Sequence, residues 1–453
     1  MKTEPLIGAE APTAVVAYRD GQAISSLQYI ADAQALAARL PAVGSMLNLT
    51  VDRYLFAVGL GAALLRGHAS LLPPNHTLHT VERLRAAFQS VYALVESDEE
   101  GHGLPVVTHA GHVPIPDTPA VPLIAADRVA AYVLTSGSTG DPVPHAKPWQ
   151  LLTASARAES ASLGRAIGRQ TLAGVSLVAT VPPQHMYGFE SSVLLALQGG
   201  AAFDASRPFY PADIVAALAR VPPPRMLVTT PFHLKTLLES KVSLPEVDLV
   251  LCATAPLSPQ LAARAESAFG APLMEIYGCT EAGQVASRRT TAGPDWRTFD
   301  GLSLHGDGDA VVVSGGHVPQ ATPLADVLEV IDAHSFRLLG RSNDLVNVAG
   351  KRSSIGHLNF HLNAIEGVVD GTFWMPPDDA EAPGVARLLA FVVAPHVAPE
   401  RIRSALRARI DAAFLPRRIV LLDALPREAT GKLTSARLAA LAATHRTGGE
   451  ESR

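Results

Sequence analysis

The sequence Tyr132-Val133-Leu134-Thr135-Ser136-Gly137-Ser138-Thr139-Gly140-Asp141-Pro142 runs from an apolar strand straight into six consecutive hydroxyl or glycine residues. Such a loop offers backbone N–H groups and hydroxyl donors without side-chain bulk, which is what polyphosphate needs. It lacks the GxxxxGK spacing followed by Ser or Thr, so a Walker-type nucleotide hydrolase is disfavoured; alone, it also describes a flexible turn. A second stretch, Glu275-Ile276-Tyr277-Gly278-Cys279-Thr280-Glu281, gathers an aromatic, a hydroxyl and a carboxylate about one glycine. Tyr277 could stack on a base, Thr280 could bond phosphate and Glu281 could hold Mg²⁺. Asp326 is a carboxylate able to take ribose hydroxyls, with the guanidinium of Gly340-Arg341 nearby. A fourth stretch, Leu425-Pro426-Arg427-Glu428-Ala429-Thr430-Gly431-Lys432, displays a lysine just after a glycine turn.

These stretches need a scaffold, and strand–helix alternation supplies one. Residues 177–181, 193–197, 226–229 and 249–252 are short apolar runs that alternate with helical stretches such as the one around 234–238. That pattern argues an α/β chain with largely parallel sheets. Residues 21–40 carry apolar residues at helical spacing after Ser25-Ser26 and predict an early amphipathic helix. The uninterrupted apolar run 54–65 reads as a buried helix, too short to span a bilayer. Ahead of Gly340, residues 310–313, 327–331 and 336–339 look like short antiparallel strands with tight turns. Beyond Arg341 the pattern predicts helices over 355–365 and 401–414 and strands at 388–393 and 418–422, so a domain boundary falls near 340–345.

Composition narrows the function classes. With 37 Lys+Arg against 42 Asp+Glu the net charge is −5, which gives no field to hold nucleic acid or an anionic membrane. Hydrophobic residues at 48% and charged residues at 17% describe a folded chain rather than a disordered one. Cys252 and Cys279 form no CxxC pair, which excludes a disulfide scaffold and a thiolate zinc site. His76, His79, His102, His109 and His112 sit among Gly and Pro without an HExxH pattern, so no histidine metal site is expected. The start Met1-Lys2-Thr3-Glu4 shows no signal pattern, and the default expectation is a cytoplasmic protein without a membrane partner.

The four stretches in this order, TSGSTG, YGCTE, LLGRSNDLVNVAGKR and LPREATGK, resemble the adenylate-forming superfamily of acyl- and aryl-CoA synthetases, peptide-synthetase adenylation domains and luciferases. The resemblance implies an α/β fold over residues 1–341, with parallel-rich sheets and a small barrel-like subdomain, and a small mobile α+β domain over 342–453. It implies that a carboxylate attacks the α-phosphate of MgATP, giving an acyl-adenylate and pyrophosphate, and that a thiol then displaces AMP. Thr135, Ser136, Gly137, Ser138, Thr139 and Gly140 would wrap the β- and γ-phosphates. Ala255, Pro256 and Tyr277 would sandwich the adenine. Thr280 would touch the α-phosphate, Glu281 would ligate Mg²⁺, and Asp326 with Arg341 would hold the ribose. Lys432 would stabilise charge developing during adenylation. Rotation about residues 342–344, where Asn343 stands at a position commonly aspartate, would then exchange Lys432 for Val348-Ala349-Gly350-Lys351.

The chain departs from the family pattern after the phosphate loop, where Val143 stands in place of the usual lysine and Lys147 could supply the charge from a shifted position. His357 and Asn359 replace family glutamates on the small domain, and the replacements at Val143 and His357 keep open a degenerate adenylate-binding or regulatory module as an alternative. On the acid side, QHMYGFES matches the segment bordering the acid pocket, placing His185 and Tyr187 near the acid, with Gly278 also lining it. Cys252 and Thr254 replace glycines common in CoA ligases and should shorten the pocket, favouring a flat aryl acid. Glu190 lies near the place where amino-acid-activating domains bind an ammonium, which supports an amino acid instead. The surrounding residues look more like aryl-acid ligases of bacterial aryl polyene and xanthomonadin-type pigment pathways. Those load a 4-hydroxybenzoate-like acid onto the phosphopantetheine of an acyl carrier protein; an aryl- or acyl-CoA synthetase is the alternative. Arg401, Arg403, Arg407, Arg409, Arg417 and Arg418 are a carrier-protein surface or a solvated helix face.

Overall fold

Two large sheets, with two smaller ones beside them, hold the strands up to Arg341. In this computed structural model all residues are described except 1, 9–12, 97–100, 110, 116–119, 137–141, 342–344, 349–350, 376–387, 428–432, 434 and 447–453. The first sheet orders its six strands as Pro142–Pro148, Val129–Ser136, Ala69–Leu72, Ser45–Asn48, Val91–Val95 and Val106–Thr108. All its pairs are parallel except the first, an antiparallel hairpin with Val143 opposite Thr135 and Lys147 opposite Ala131. Against it lies the helix Arg53–Arg66, buried along most of its length as its unbroken apolar run requires. Asp52 caps that helix by accepting from the Tyr54 and Leu55 N–H groups, and Gly67 closes it at φ 83°. The early helix runs over Ser26–Ala37, with Ser25 accepting from the Gln28 N–H as its N-cap.

The second sheet has eleven strands. At its centre Ser176–Ala179, Arg225–Thr229, Leu249–Cys252 and Leu273–Cys279 run parallel; the first three are buried nearly throughout, which their apolar runs require, whereas the fourth alternates in burial. Antiparallel strands Gly283–Arg289, Asp295–Thr298, Ser335–Arg341 and Asp326–Asp332 extend one side. The carboxyl ends of the parallel strands bring Thr229 and Cys252 to one edge, the edge where open α/β sheets place ligands. Leu302–His305, Val312–Gly315 and Val318–Pro323 form a separate three-stranded antiparallel sheet. The antiparallel strands expected before Gly340 are therefore shared between that small sheet and the large one.

One apolar run is not a strand. Residues 193–197 fall in a π-helix, Phe189–Leu194, that continues into Leu195–Leu197. Every residue of the two is buried, so the run is apolar all round, and periodicity cannot distinguish a short buried strand from a buried helix.

Beyond Arg341, a hairpin of Leu345–Val348 and Lys351–Ser354 leads into the helix Ile355–Asn363. A three-stranded sheet follows, in which Leu389–Val393 pairs antiparallel with Asp370–Trp374 and parallel with Arg418–Leu421. Leu358, Leu362, Phe373, Val392, Ile402 and Leu406 form a core of their own. The helix expected over 401–414 runs instead over Pro399–Arg407, because Asp411 caps a separate short turn, Ala412–Phe414. This part touches the larger one where Gln260 Nε2 donates to the Ala364 carbonyl at 2.9 Å and Lys235 Nζ to the Val369 carbonyl at 3.1 Å. Among the described residues no helix is long and apolar enough to cross a membrane.

The two large sheets are joined through a buried guanidinium. Arg53 is fully buried, and donates from Nη1 to Ser192 Oγ at 2.6 Å and from Nη2 to the Ala179 and Val181 carbonyls, each at 2.9 Å. An arginine to methionine change keeps the volume of the stem and orphans those acceptors. Arg53→Met is expected to cost about 3 kcal/mol in urea unfolding. A midpoint equal to that of the parent chain would contradict the assigned role.

Candidate active site

The two nucleotide-like stretches sit on two hairpins from different sheets. In the first, residues 137–141 lie outside the described residues, so Gly137, Ser138, Thr139 and Gly140 carry no structural statement; the backbone places Thr135 and Ser136 at the end of their strand. In the second, Thr280 and Glu281 form the turn between Leu273–Cys279 and Gly283–Arg289. That turn is tight: a Cβ at Gly278 would collide with the Gly283 carbonyl, and Gly283 has φ +80°. At its base the buried Glu275 is held by Arg288, whose Nε donates at 2.7 Å, and by the Thr290 hydroxyl. The Glu281 carboxylate is half exposed and lies 4.0 Å from His145 Nε2.

Lys147 bridges the two hairpins. Only 7% exposed, it donates from Nζ to the Thr280 carbonyl and, at 3.2 Å, to the Glu281 carbonyl. Burial pulls its pKa down, and the nearby Glu190 carboxyl pushes it back up. Lys147, expected to supply the phosphate-loop charge, bonds this turn; because a strand alternates, His145 and Lys147 two positions apart share a face. That spacing was the available signal for both residues.

Tyr277 is a core aromatic, with its ring centroid 5.8 Å from Trp296 and 5.4 Å from Phe336, and its hydroxyl donates to Asp326 Oδ2 at 2.7 Å. Asp326 stands opposite Arg341 in the strand ladder, so backbone register brings together the pair expected at a ribose. Ala255 is half-buried and Pro256 exposed in the loop after Leu249–Cys252. The same loop holds Thr254 at φ +82°, a left-handed conformation that costs a β-branched residue of order 1–3 kcal/mol. Such strain persists only where the surroundings impose it, and it is concentrated at functional sites.

On the acid side, His185 is the N-cap of the short helix Met186–Gly188. The Tyr187 hydroxyl donates to the Thr229 and Leu251 carbonyls at 3.2 and 3.1 Å, which fixes its ring across the strand ends beside Cys252. Cys252 is fully buried and burial pushes its thiol well above the ordinary value; burial pushes Cys279 up to about 11. Neither is a ready thiolate: Cys252 serves as a small buried hydrophobe, and the partly buried Cys279 accepts from the Ala282 N–H at 3.5 Å. Asn343 and Lys432 lie outside the described residues. Among the described residues no group of three or more His, Cys, Asp or Glu is arranged to hold a metal ion. Glu281 nonetheless suits Mg²⁺, which takes one or two carboxylates and completes its shell with water and substrate phosphate.

Sequence reasoning singled out Glu190 but missed Glu159, and the two form a buried carboxyl pair behind the turn. Glu190, in the π-helix, is 3% exposed and accepts from Ser155 Oγ at 3.3 Å; Glu159 is fully buried. Burial raises Glu190 to about 7 and Glu159 to about 8. Neither Glu159 oxygen nor Gln284 Oε1 has a hydrogen-bond partner among the described residues, while Gln284 Nε2 donates to Ser191 Oγ at 2.8 Å. A protonated Glu159 supplies the missing donor beside those acceptors. Because its folded pKa lies above the ordinary carboxylate value, Glu159 contributes stability that is complete below about pH 4 and lost as pH rises through about 8. Glu159→Gln is therefore expected to flatten the fall in unfolding midpoint between about pH 5 and about pH 9. Parallel curves for parent and variant would contradict it.

The AMP-binding enzyme family matches residues 19–320 of the chain. A 4-coumarate–CoA ligase of Rhodobacter capsulatus is 30% identical over 310 residues, covering 68% of this chain and 75% of that protein. A second, from Halorhodospira halophila, is 30% identical over 310 residues, covering 66% and 73%. ATP-bound MatB from Rhodopseudomonas palustris shares the fold, with a TM-score of 0.77 at 19% identity over 97% of each chain. The family match covers the hairpin of the Ser/Thr/Gly loop, the Thr280–Glu281 turn and the strand ends at Thr229 and Cys252. The chain belongs to the AMP-binding enzyme family and is an adenylate-forming acid–thiol ligase.

Proposed function

We propose that this ligase activates a short aryl carboxylic acid, of the hydroxybenzoate or hydroxycinnamate kind, and passes it to the thiol of CoA. The acid would lie against His185, Tyr187 and Gly278 at the carboxyl edge of the parallel strands. The observation that carries the aryl reading is the filled strand end: Cys252 is fully buried there, and Thr254 holds a side chain in a left-handed position that ordinarily calls for glycine. Side chains at both positions shorten the space for a long acyl tail. The two 4-coumarate–CoA ligases among the relatives support both the aryl acid and CoA. Against an amino acid, Glu190 is buried and already shares its surroundings with the chain's own ammonium at Lys147.

In this reading Thr135, Ser136, Gly137, Ser138, Thr139 and Gly140 hold the β- and γ-phosphates, and Ala255, Pro256 and Tyr277 border the adenine. Asp326 and Arg341 take the ribose, and Thr280 takes the α-phosphate. Mg²⁺ held by Glu281 would neutralise phosphate charge. Residues 1–341 act as the body and 342–453 as a mobile lid turning about Asn343, which brings Lys432 to the α-phosphate for adenylation. A carrier-protein thiol in place of CoA is a second reading, favoured by the exposed Arg401, Arg407, Arg409 and Arg417 on the lid.

ATP–pyrophosphate exchange across hydroxybenzoates, cinnamates, fatty acids and amino acids tests the acid. Exchange is expected with the aromatic acids, and exchange confined to amino or fatty acids would refute the pocket assignment. Mass analysis of products with CoA and with a phosphopantetheinylated carrier protein then decides the acceptor, a CoA thioester being the expected result. Lys432→Ala should lower the adenylation rate by about 10²–10³ with an unchanged circular dichroism spectrum. A wild-type rate would remove Lys432 from the mechanism.

A further inference from the structure

We infer that Lys147 is a positioning residue for the nucleotide site: reaching from the strand that leaves the Ser/Thr/Gly loop, it sets the Thr280–Glu281 turn from behind, with the buried Glu190 packed on the exit of that turn. The inference rests on the proposed roles of Thr280 and Glu281. It differs from the expectation that Lys147 replaces the absent phosphate-loop lysine, because its ammonium is directed at main-chain carbonyls.

A lysine ammonium carries three donors. Two are used on the Thr280 and Glu281 carbonyls, adjacent peptide groups of one turn. Bonding both fixes two successive peptide planes, and with them the directions in which the Thr280 hydroxyl and the Glu281 carboxylate project. Glu281 stands half exposed, its carboxylate 4.0 Å from His145 Nε2. The exit of the turn is set by the second member of the pair. A Cβ at Gly283 would come within 3.0 Å of Glu190 Oε1, so the carboxyl group packs directly on the turn backbone. Gln284, next in the strand, is held by Ser191 from the same π-helix and gives its carbonyl to His317 Nε2 at 2.6 Å. Entry and exit of the turn are therefore both fixed by buried polar groups from outside its own sheet hairpin.

A buried ammonium without a counter-charge is costly, and Glu190 offsets part of that cost while Ser155 satisfies its own carboxyl. The reach of Lys147 matters because the two hairpins belong to different sheets. Without a bond between them, the phosphate loop and the Mg²⁺-binding turn would shift independently, and a displacement of about 1 Å at a reacting centre costs on the order of 100-fold in rate.

The test compares Lys147→Met, Glu190→Gln and the double variant in the full chain. Each is assayed for ATP–pyrophosphate exchange, for Mg²⁺ dependence, and for thioester formation from chemically supplied acyl-adenylate, which bypasses ATP. Lys147→Met is expected to lose about 100-fold in exchange kcat and to need more Mg²⁺ for half-maximal rate, with KM for the acid unchanged. Thioester formation from the supplied adenylate keeps the Thr280 contact to the α-phosphate but needs no Mg²⁺ at Glu281, so it should fall less than exchange does. The double variant, with both charges gone, should recover the thermal stability lost in Lys147→Met and keep the kinetic defect. Recovery of activity together with stability would make Lys147 a fold strut and overturn the inference. A rise in KM for ATP alone, without a shift in Mg²⁺ dependence, would mean direct phosphate contact and overturn it too. Parent protein that shows no exchange with any acid would instead refute the proposed function, an outcome visible before any variant is made.

Discussion

A single ammonium group, on Lys147, ties the hairpin of one sheet to the turn of another. The arrangement is demanding because a charge so deeply buried is stable only when its donors are used and a counter-group lies close. Two of its three donors go to main-chain carbonyls of the turn, and the Glu190 carboxyl pushes its pKa back up against burial. The strand Pro142–Pro148 is thereby tied to the turn between Leu273–Cys279 and Gly283–Arg289, although the two hairpins lie in different sheets.

The interior behind this edge is unusually polar for the centre of a large domain. Arg53, Glu159, Glu190, Ser191 and Ser192 are all buried in the layer between the two sheets. Three of them belong to the π-helix Phe189–Leu194, a rare geometry that is found mostly at functional sites. Arg53 and the carboxyl pair solve burial differently. The guanidinium keeps its charge by saturating two carbonyls and a hydroxyl, whereas Glu159 sheds its charge by holding a proton at neutral pH. Both solutions join elements that the backbone ladders leave apart.

The strain at Thr254 belongs to the same edge. Cys252 ends a parallel strand, Tyr187 lies across the strand ends with its hydroxyl on two carbonyls, and the chain turns away through a left-handed threonine. Side chains thus stand at both positions, Cys252 buried and Thr254 exposed. Beside it, Tyr277 is fixed by Trp296, Phe336 and Asp326, so its hydroxyl end is anchored before any ligand arrives.

Much of this chain is written in local patterns. The Ser25 cap, the unbroken run that became Arg53–Arg66, the parallel core strands and the strand–helix order beyond Arg341 follow from spacing and from turn residues, which act over a few positions. The motif order similarly identified the family, because each motif is contiguous. What the sequence left undecided was pairing at a distance. Residues 193–197 read as a strand, since complete burial erases the periodicity that separates strand from helix. Lys147 and Thr280 are 133 positions apart, and nothing local in either marks the other. The protonation of Glu159 and Glu190 is equally invisible, because desolvation is a property of the packed interior rather than of the residue. The sequence by itself determined which side chains were available for nucleotide and acid; only the tertiary structure decided which of them are spent holding the others in place.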